Sequence, residues 1–255
     1  MVVVGDSAEA TTGWLAPLEH EAANTTTTAT TSGRLPTAAD PMQTTVGDVG
    51  RRAIARPGLS SAFMLFSCDD LDELTRAVSD AWGEASNADW SVRAGTLEWS
   101  CTQTADHAVD TVLAPAFFLA SRKLDGYPAF EPFTLGSDPT PATLIEGLHT
   151  ATRILTSVVR AAEPEARATI WRRPKPEVRG PEDFVPRAAL ELILHAHDVC
   201  TGLGVAFDPP AHVCEALRQH TQDWPMWRLA GWSPLALTGA PWADLLRSSG
   251  RPASG

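Results

Sequence analysis

The order of apolar and polar positions along the chain predicts amphipathic helices beyond about residue 60. The first should run from about Asp69 to Ala85, with Ser67 as its N-cap and two acids in its first turn to suit the helix dipole. Its large apolar side chains recur at three- and four-residue spacing and therefore form one face: Leu71, Leu74, Val78 and Trp82.

A capping box marks the second helix. Ser100 and Gln103 match the S-x-x-Q pattern, in which each side chain bonds the backbone of the other residue, so this helix should begin at Cys101. The helical pattern continues to about Lys123, and Pro115 inside it predicts a kink or an early end.

The third helix has a favoured start. Thr140 can act as its N-cap, and Pro141 would occupy the first helical position, where proline is well tolerated. The helix should stop near Glu163. Its apolar stripe follows a 4-3-4-3 spacing: Leu144, Leu148, Ala151, Leu155 and Val158.

The fourth helix has the widest apolar face. It should run from about Glu182 to Thr201, where Gly202 and Gly204 end it. A short helix should follow at about residues 211–222. Four long helices with polar connections predict an all-α fold, an antiparallel four-helix bundle with a short C-terminal extension.

Strand signals are sparse. Residues 167–171 could form a short extended piece, and no internal repeat or glycine-rich phosphate loop is evident. We therefore expect at most a minor strand contribution to the fold.

The composition limits the possible functions. With 255 residues, 44% of them hydrophobic, the chain can bury a substantial core. Its net charge of −11 argues against a nucleic-acid partner, because phosphate binding needs clustered lysine and arginine. It has no run of about eighteen apolar residues and no secretory signal pattern. We expect a cytoplasmic protein without a membrane partner, either a monomer or a homodimer.

The first sixty residues differ from the rest. The segment from Ala22 to Ala39 is rich in threonine, alanine and serine, and it has too few large apolar residues to fold alone. We expect residues 1–60 to be a low-complexity, disordered tail and residues 61–255 to form one domain. Met42 is an alternative translation start.

Four cysteines are spread along the chain, and none forms a CxxC motif: Cys68, Cys101, Cys200 and Cys214. The spacing indicates neither a disulfide scaffold nor a zinc ribbon. Cys101 opens a helix, where the pKa of a thiol can fall, and this makes it a candidate nucleophile. Cys200 lies in an apolar helix end, where an inert thiol is expected.

Polar residues share one face of the fourth helix. Glu191, His195 and Asp198 lie at i, i+4 and i+7 among apolar neighbours. The stripe is either a solvated face carrying a Glu–His pair or a site inside the bundle. His107 on the second helix favours the site, because it completes a set of two imidazoles and one carboxylate.

This set suits zinc or another divalent metal and would leave a coordination position for water or substrate. Asp110 and Asp198 each follow one of the two histidines by three residues and could orient an imidazole from behind. Gln103 shares a face with His107 and Asp110 and is grouped with these supporting residues. Exposed or helix-capping roles are open for both aspartates.

The order of these motifs resembles a known family. Trp99-Ser100 precedes His107, the E-x3-H-x2-D segment precedes a GLG turn at residues 202–204, and a late LL-x3-GR ends at Arg251. Over residues 68–252 this is similar to the DinB-like superfamily, in its mycothiol-dependent maleylpyruvate isomerase N-terminal branch. The resemblance implies a four-helix bundle that holds one divalent metal, often zinc, through residues matching His107, Glu191 and His195.

The resemblance also implies chemistry on a small thiol, with mycothiol, the actinobacterial thiol, as co-substrate. Our leading hypothesis is a metal-dependent thiol S-transferase that acts on a small electrophilic metabolite. A thiol-dependent cis–trans isomerase of the maleylpyruvate type is an alternative, although we expect the additional C-terminal domain of those enzymes to be missing. A metal-dependent hydrolase and a non-catalytic binding module with a vestigial metal site are further alternatives. Arg122, Arg172 and Arg173 are candidate partners for a substrate carboxylate.

Overall fold

The computed structural model describes residues 66–129, 133–171 and 175–252. Contacts divide the chain into Met1–Pro57 and Gly58–Gly255, and all the described residues belong to the second unit. The expected tail over residues 1–60 and the possible start at Met42 lie outside the described residues.

The described residues are mainly helical, as the periodicity predicts. The helices are α1 (Cys68–Glu84), α2 (Cys101–Ser121), α3 (Pro141–Ala161), α4 (Phe184–Leu203), α5 (Ala211–Thr221) and α6 (Pro241–Ser248). Between α3 and α4, β1 (Ala168–Trp171) pairs with β2 (Pro176–Arg179) in an antiparallel ribbon. In the part of the chain that is described, no helix has the length and apolarity needed to cross a membrane.

Local capping explains where α1 and α2 begin. The Ser67 hydroxyl accepts a hydrogen bond from the Asp70 amide at 3.2 Å, and the Asp70 carboxylate accepts one from the Ser67 amide at 2.7 Å. Ser100 and Gln103 make the same reciprocal pair, at 3.2 and 3.0 Å. These bonds satisfy first-turn amides that the helix itself leaves unpaired. Both predicted starts are confirmed to within one residue.

Other helix boundaries differ from the prediction. α2 continues through Pro115 without an early end and stops at Ser121, after which Arg122 adopts a left-handed conformation with φ 54°. α4 includes Gly202, and only Gly204, with φ 69°, closes it. α6 was not predicted, because eight residues are too few for its apolar period to stand out from a tryptophan-rich tail.

The predicted apolar faces form the core. α1 packs on α3 and α4, and α2 packs on the same two helices. The α1 face is fully buried, and the α3 stripe is buried except for Val158, whose place is taken by Val159. α4 is buried along most of its length, and its buried residues include the polar His195, His197 and Asp198.

Candidate functional site

Three of the predicted site residues meet between α2 and α4. The rings of His107 and His195 have their centroids 5.2 Å apart at an interplanar angle of 72°. Nε2 of His195 lies 3.4 Å from Oε2 of Glu191, one turn earlier on α4. His195 is 6% exposed and Asp198 is 3% exposed, so this stripe of α4 is not a solvated face.

Glu191 is held by an arginine that the sequence pattern did not single out. Arg187, one turn before Glu191 on α4, donates a hydrogen bond from Nη1 to Oε1 of Glu191. Burial acts to raise the pKa of Glu191, but Arg187 and the two histidines outweigh it and hold the pKa well below its usual range. The carboxylate is therefore charged at neutral pH. The i,i+4 spacing of Arg187 and Glu191 was the available signal.

The two imidazoles differ in protonation. Burial, with a contribution from neighbouring His195, lowers the pKa of His107 to about 4. Burial acts in the same direction on His195, but the carboxylates of Asp198 and Glu191 outweigh it and raise the pKa. At neutral pH His107 is thus a neutral imidazole, and His195 is the ring of the pair that more readily takes up a second, charging proton.

A carboxylate lies behind His195. Oδ2 of Asp198 is 3.6 Å from Nδ1 of His195, beyond hydrogen-bond range, and Nδ1 is buried without a hydrogen-bond partner among the described residues. Arg251 holds Asp198 through two hydrogen bonds, from Nε at 2.8 Å and from Nη2 at 2.6 Å. Burial acts to raise the pKa of Asp198, but His195 and Arg251 outweigh it and lower the pKa.

An indole covers the other histidine. The ring of Trp99 meets His107 edge-to-face, with centroids 5.2 Å apart. Trp99 directly precedes the N-cap Ser100, so the capping box that begins α2 also places this indole beside the site. His107 therefore lies between Trp99 and His195.

The other predicted supporting residues have contacts in local structure. Oδ1 of Asp110 accepts a hydrogen bond from the Phe133 amide at 2.8 Å, which ties the segment before α3 to α2. The side-chain oxygen of Gln103 serves the cap of α2, and the residue is exposed. Arg122 ends α2, while Arg172 and Arg173 lie outside the described residues.

The thiols of the chain are inert. Cys101 is fully buried, and its Sγ donates a hydrogen bond to the Val199 carbonyl at 3.6 Å. Burial raises the pKa of Cys101 to about 11 and that of Cys200 to about 12. The hypothesis of Cys101 as a nucleophile is therefore wrong, because burial outweighs any effect of the helix start.

The predicted metal ligands are of residue types that bind divalent metals, but their donor atoms are not arranged as a complete coordination site. Within the described ranges, no group of three or more His, Cys, Asp or Glu side chains is arranged to hold a metal ion. Tetrahedral zinc with bonds of about 2.0–2.1 Å requires neighbouring donor atoms about 3.3–3.4 Å apart. The 3.4 Å between Nε2 of His195 and Oε2 of Glu191 matches this edge. His107 would have to supply the third donor.

Comparison with known proteins identifies no relative of this chain. No protein-family model matches the chain, and searches of curated proteins and of solved structures return no match. The resemblance to the DinB-like superfamily therefore rests on the sequence motifs alone.

Proposed function

We propose that this protein is a metal-dependent thiol S-transferase, with mycothiol as the thiol, acting on a small electrophilic metabolite. The observation that carries the proposal is the meeting of His107, Glu191 and His195, which come from two different helices; His195 is buried and the other two are partly buried. The packing of α1 and α2 on both α3 and α4 supports the antiparallel four-helix bundle that the DinB-like resemblance implies.

The protonation states favour ligation. A metal ligand must be deprotonated at its donor atom, and His107 and Glu191 meet this condition at neutral pH. A bound zinc ion would supply Lewis acidity that keeps a thiol ligand deprotonated near neutral pH. His195 would give up the proton on Nε2 and keep the one on Nδ1, which faces Asp198.

The surrounding side chains orient the donors. Arg187 holds Oε1 of Glu191, which leaves Oε2 directed toward His195. Trp99 packs edge-to-face on the ring of His107 and restricts its orientation. Ligands whose remaining polar atoms are held in this way need little reorganisation when they bind.

The source of the reactive sulfur follows from the buried cysteines. All four are buried, and burial raises the pKa of each of them. None can supply a thiolate at neutral pH, so a thiol reaction at this site needs a thiol from a small molecule. This supports a transferase that takes mycothiol as co-substrate.

Metal quantitation tests the site. Protein purified without added metal should contain about one equivalent of zinc or another divalent ion. His107→Ala and His195→Ala should each lose most of it, whereas His212→Ala, which changes an exposed histidine paired with Glu73, should not. Wild-type protein with less than about a tenth of an equivalent, and no gain on adding zinc, would contradict the metal site and favour a non-catalytic binding module.

Thiol dependence tests the reaction. The protein should conjugate mycothiol to an electrophile such as 1-chloro-2,4-dinitrobenzene, and mass spectrometry of extracts incubated with and without it should identify the natural conjugate. Product formed at full rate without any thiol would reject the transferase and favour a metal-dependent hydrolase. Thiol-dependent isomerisation without a conjugate would favour the isomerase.

A further inference from the structure

We propose that Arg251 is a positioning residue of the candidate site, which it governs through Asp198 and His195. The inference rests on the proposed function in one respect: it takes His195 as a ligand. Arg251 lies 53 positions beyond Asp198 in the chain and is brought to it by the last helix.

The guanidinium of Arg251 fixes the plane of the Asp198 carboxylate. Nε donates to Oδ1 at 2.8 Å, and Nη2 donates to Oδ2 at 2.6 Å, so both oxygens are held. The side chains are 16% and 5% exposed, which keeps solvent from competing for these bonds. A planar fork of this kind sets the orientation of a carboxylate as well as its charge.

The oxygen with the shorter of these bonds is the one that faces the site. Oδ2 of Asp198 accepts the 2.6 Å bond from Arg251 and also lies 3.6 Å from Nδ1 of His195. Nδ1 is buried without a hydrogen-bond partner among the described residues, which is rare for a ring nitrogen in a folded protein. A shift of a few tenths of an ångström would bring this N–H and Oδ2 into hydrogen-bond range.

A hydrogen bond from Nδ1 of His195 to Asp198 would select the tautomer with the proton on Nδ1. This is the tautomer that a metal ligand bound through Nε2 needs. With the proton on Nδ1 directed at Asp198, Nε2 presents its lone pair toward Glu191, where a metal ion would be shared with Oε2. Partners of this kind fix the ring of a ligating histidine and increase its basicity. Arg251 sets where Oδ2 stands, so it acts on the site without touching it.

The C-terminal segment is built to deliver Arg251. α6 ends with the Arg251 amide bonded to the Leu246 carbonyl at 2.9 Å, and Gly250 turns the chain with φ 76°. A Cβ on Gly250 would lie 2.7 Å from the Gly231 carbonyl oxygen, so the turn requires glycine. Trp242 of α6 also packs edge-to-face on His197, with centroids 5.6 Å apart. Trp242 of α6 and Arg251 after it thus contact His197 and Asp198, two and three residues after His195 on α4.

Arg247 offers a matched control. It lies on α6, four residues before Arg251, and donates to a buried carboxylate, bonding Asp244 at 2.6 Å, but it has no contact in the chain of residues that leads to His195. Arg247→Ala and Arg251→Ala therefore each remove an arginine–carboxylate pair, the first from within α6 and the second from the turn that follows it. Arg251→Lys keeps the charge but cannot hold both oxygens at once.

Cobalt binding gives the first readout. Co²⁺ should bind Arg251→Ala about 10- to 100-fold more weakly than wild type, with an altered visible spectrum, and Arg251→Lys should be intermediate. Arg247→Ala should keep the affinity and spectrum of wild type. Equal behaviour of the Arg251 and Arg247 variants would overturn the proposal. If Arg251→Ala does not fold, Arg251→Lys decides: a wild-type spectrum and affinity would overturn the proposal.

The ring of His195 in the metal-free protein gives the second readout. Long-range ¹H–¹⁵N spectra, assigned with His195→Ala, should show a protected Nδ1 proton in wild type and Arg247→Ala that is lost or broadened in Arg251→Ala. This measurement separates the proposed metal site from the proposed role of Arg251. If wild-type protein does not bind cobalt, only the metal site is rejected. An Nδ1 proton unchanged in Arg251→Ala would reject the role of Arg251 whether or not metal binds.

Discussion

At the scale of single residues, burial determines which groups of this protein can react. The four cysteine side chains are at most 7% exposed, and burial raises their pKa values to about 11 or 12. His107 is shifted by the same physical cause toward its neutral form. Burial therefore removes thiolates from the chain and keeps an imidazole available as a donor.

Thiol labelling checks the inertness of the cysteines. In native protein at pH 8, Ellman's reagent should find no rapidly reacting thiol, because the sulfurs are both inaccessible and protonated. Four thiols should react on denaturation. A fast phase in the native protein that disappears in Cys101→Ala would contradict the structural role assigned to Cys101.

Asp244 gives a prediction of pH dependence away from the site. Burial acts to raise its pKa, but Thr238 and Arg247 outweigh it and lower the pKa. The charged form is thus favoured on folding, so the stabilisation is fully present above the ordinary aspartate pKa and is lost as pH falls through the lowered value. At pH 7, Asp244→Asn should lower the free energy of unfolding by about 2 kcal/mol.

Urea unfolding over a range of pH measures this effect. The gap between wild type and Asp244→Asn should close as pH falls below about 4, whereas Asp80→Asn, at an exposed position of α1, should show little difference at any pH. A gap that stays constant from pH 7 to pH 3 would contradict an ionised, hydrogen-bonded Asp244.

At the scale of elements, the starts of α1 and α2 were predictable and the end of α4 was not. The caps at Ser67 and Ser100 depend on residues three positions away, so the sequence contains the whole signal. Gly202 looks like a helix end in the sequence but lies inside α4. Glycine is needed at this position because the neighbouring backbone leaves no room for a side chain. A Cβ at Gly202 would lie 2.2 Å from the Arg93 carbonyl oxygen and 2.7 Å from Sγ of Cys101.

Two glycine-to-alanine changes test this interpretation. Gly202→Ala should destabilise the protein by about 1–3 kcal/mol, because backbone at Arg93 must move. Gly83→Ala in α1, where a Cβ meets nothing within 4 Å, should instead stabilise it by about 0.5–1 kcal/mol. Thermal unfolding of both variants measures the difference, and a Gly202→Ala variant as stable as wild type would show that α4 does not approach Arg93 so closely.

At the scale of the whole molecule, the sequence predicted the residues that share a helix but not those brought together by docking. Glu191 and His195 follow from helical periodicity, and His107 from pairing two amphipathic helices. Arg251 reaches Asp198 from the turn that follows α6, and no periodicity predicts that contact. The grouping of His107, Glu191 and His195 could therefore be predicted from the sequence, while the contact between Arg251 and Asp198 could not.

Metal binding to donors from both α2 and α4 should stabilise the whole molecule against unfolding. At a free zinc concentration of about 100 times Kd, the gain is about 2.7 kcal/mol, which for a protein of this size raises Tm by roughly 5–10 °C. Differential scanning calorimetry should show this shift in wild type and in His212→Ala, since His212 is an exposed residue paired with Glu73 and not with any of the proposed ligands.

The variants then identify which helix holds the metal. Because the donors come from α2 and α4, His107→Ala and His195→Ala should each abolish most of the zinc-induced rise in Tm. A rise that survives in His107→Ala but is lost in His195→Ala would place the metal on α4 alone, through Glu191 and His195. In that case the contact of 3.4 Å between Nε2 and Oε2 would be the whole site, and α2 would contribute packing rather than a ligand.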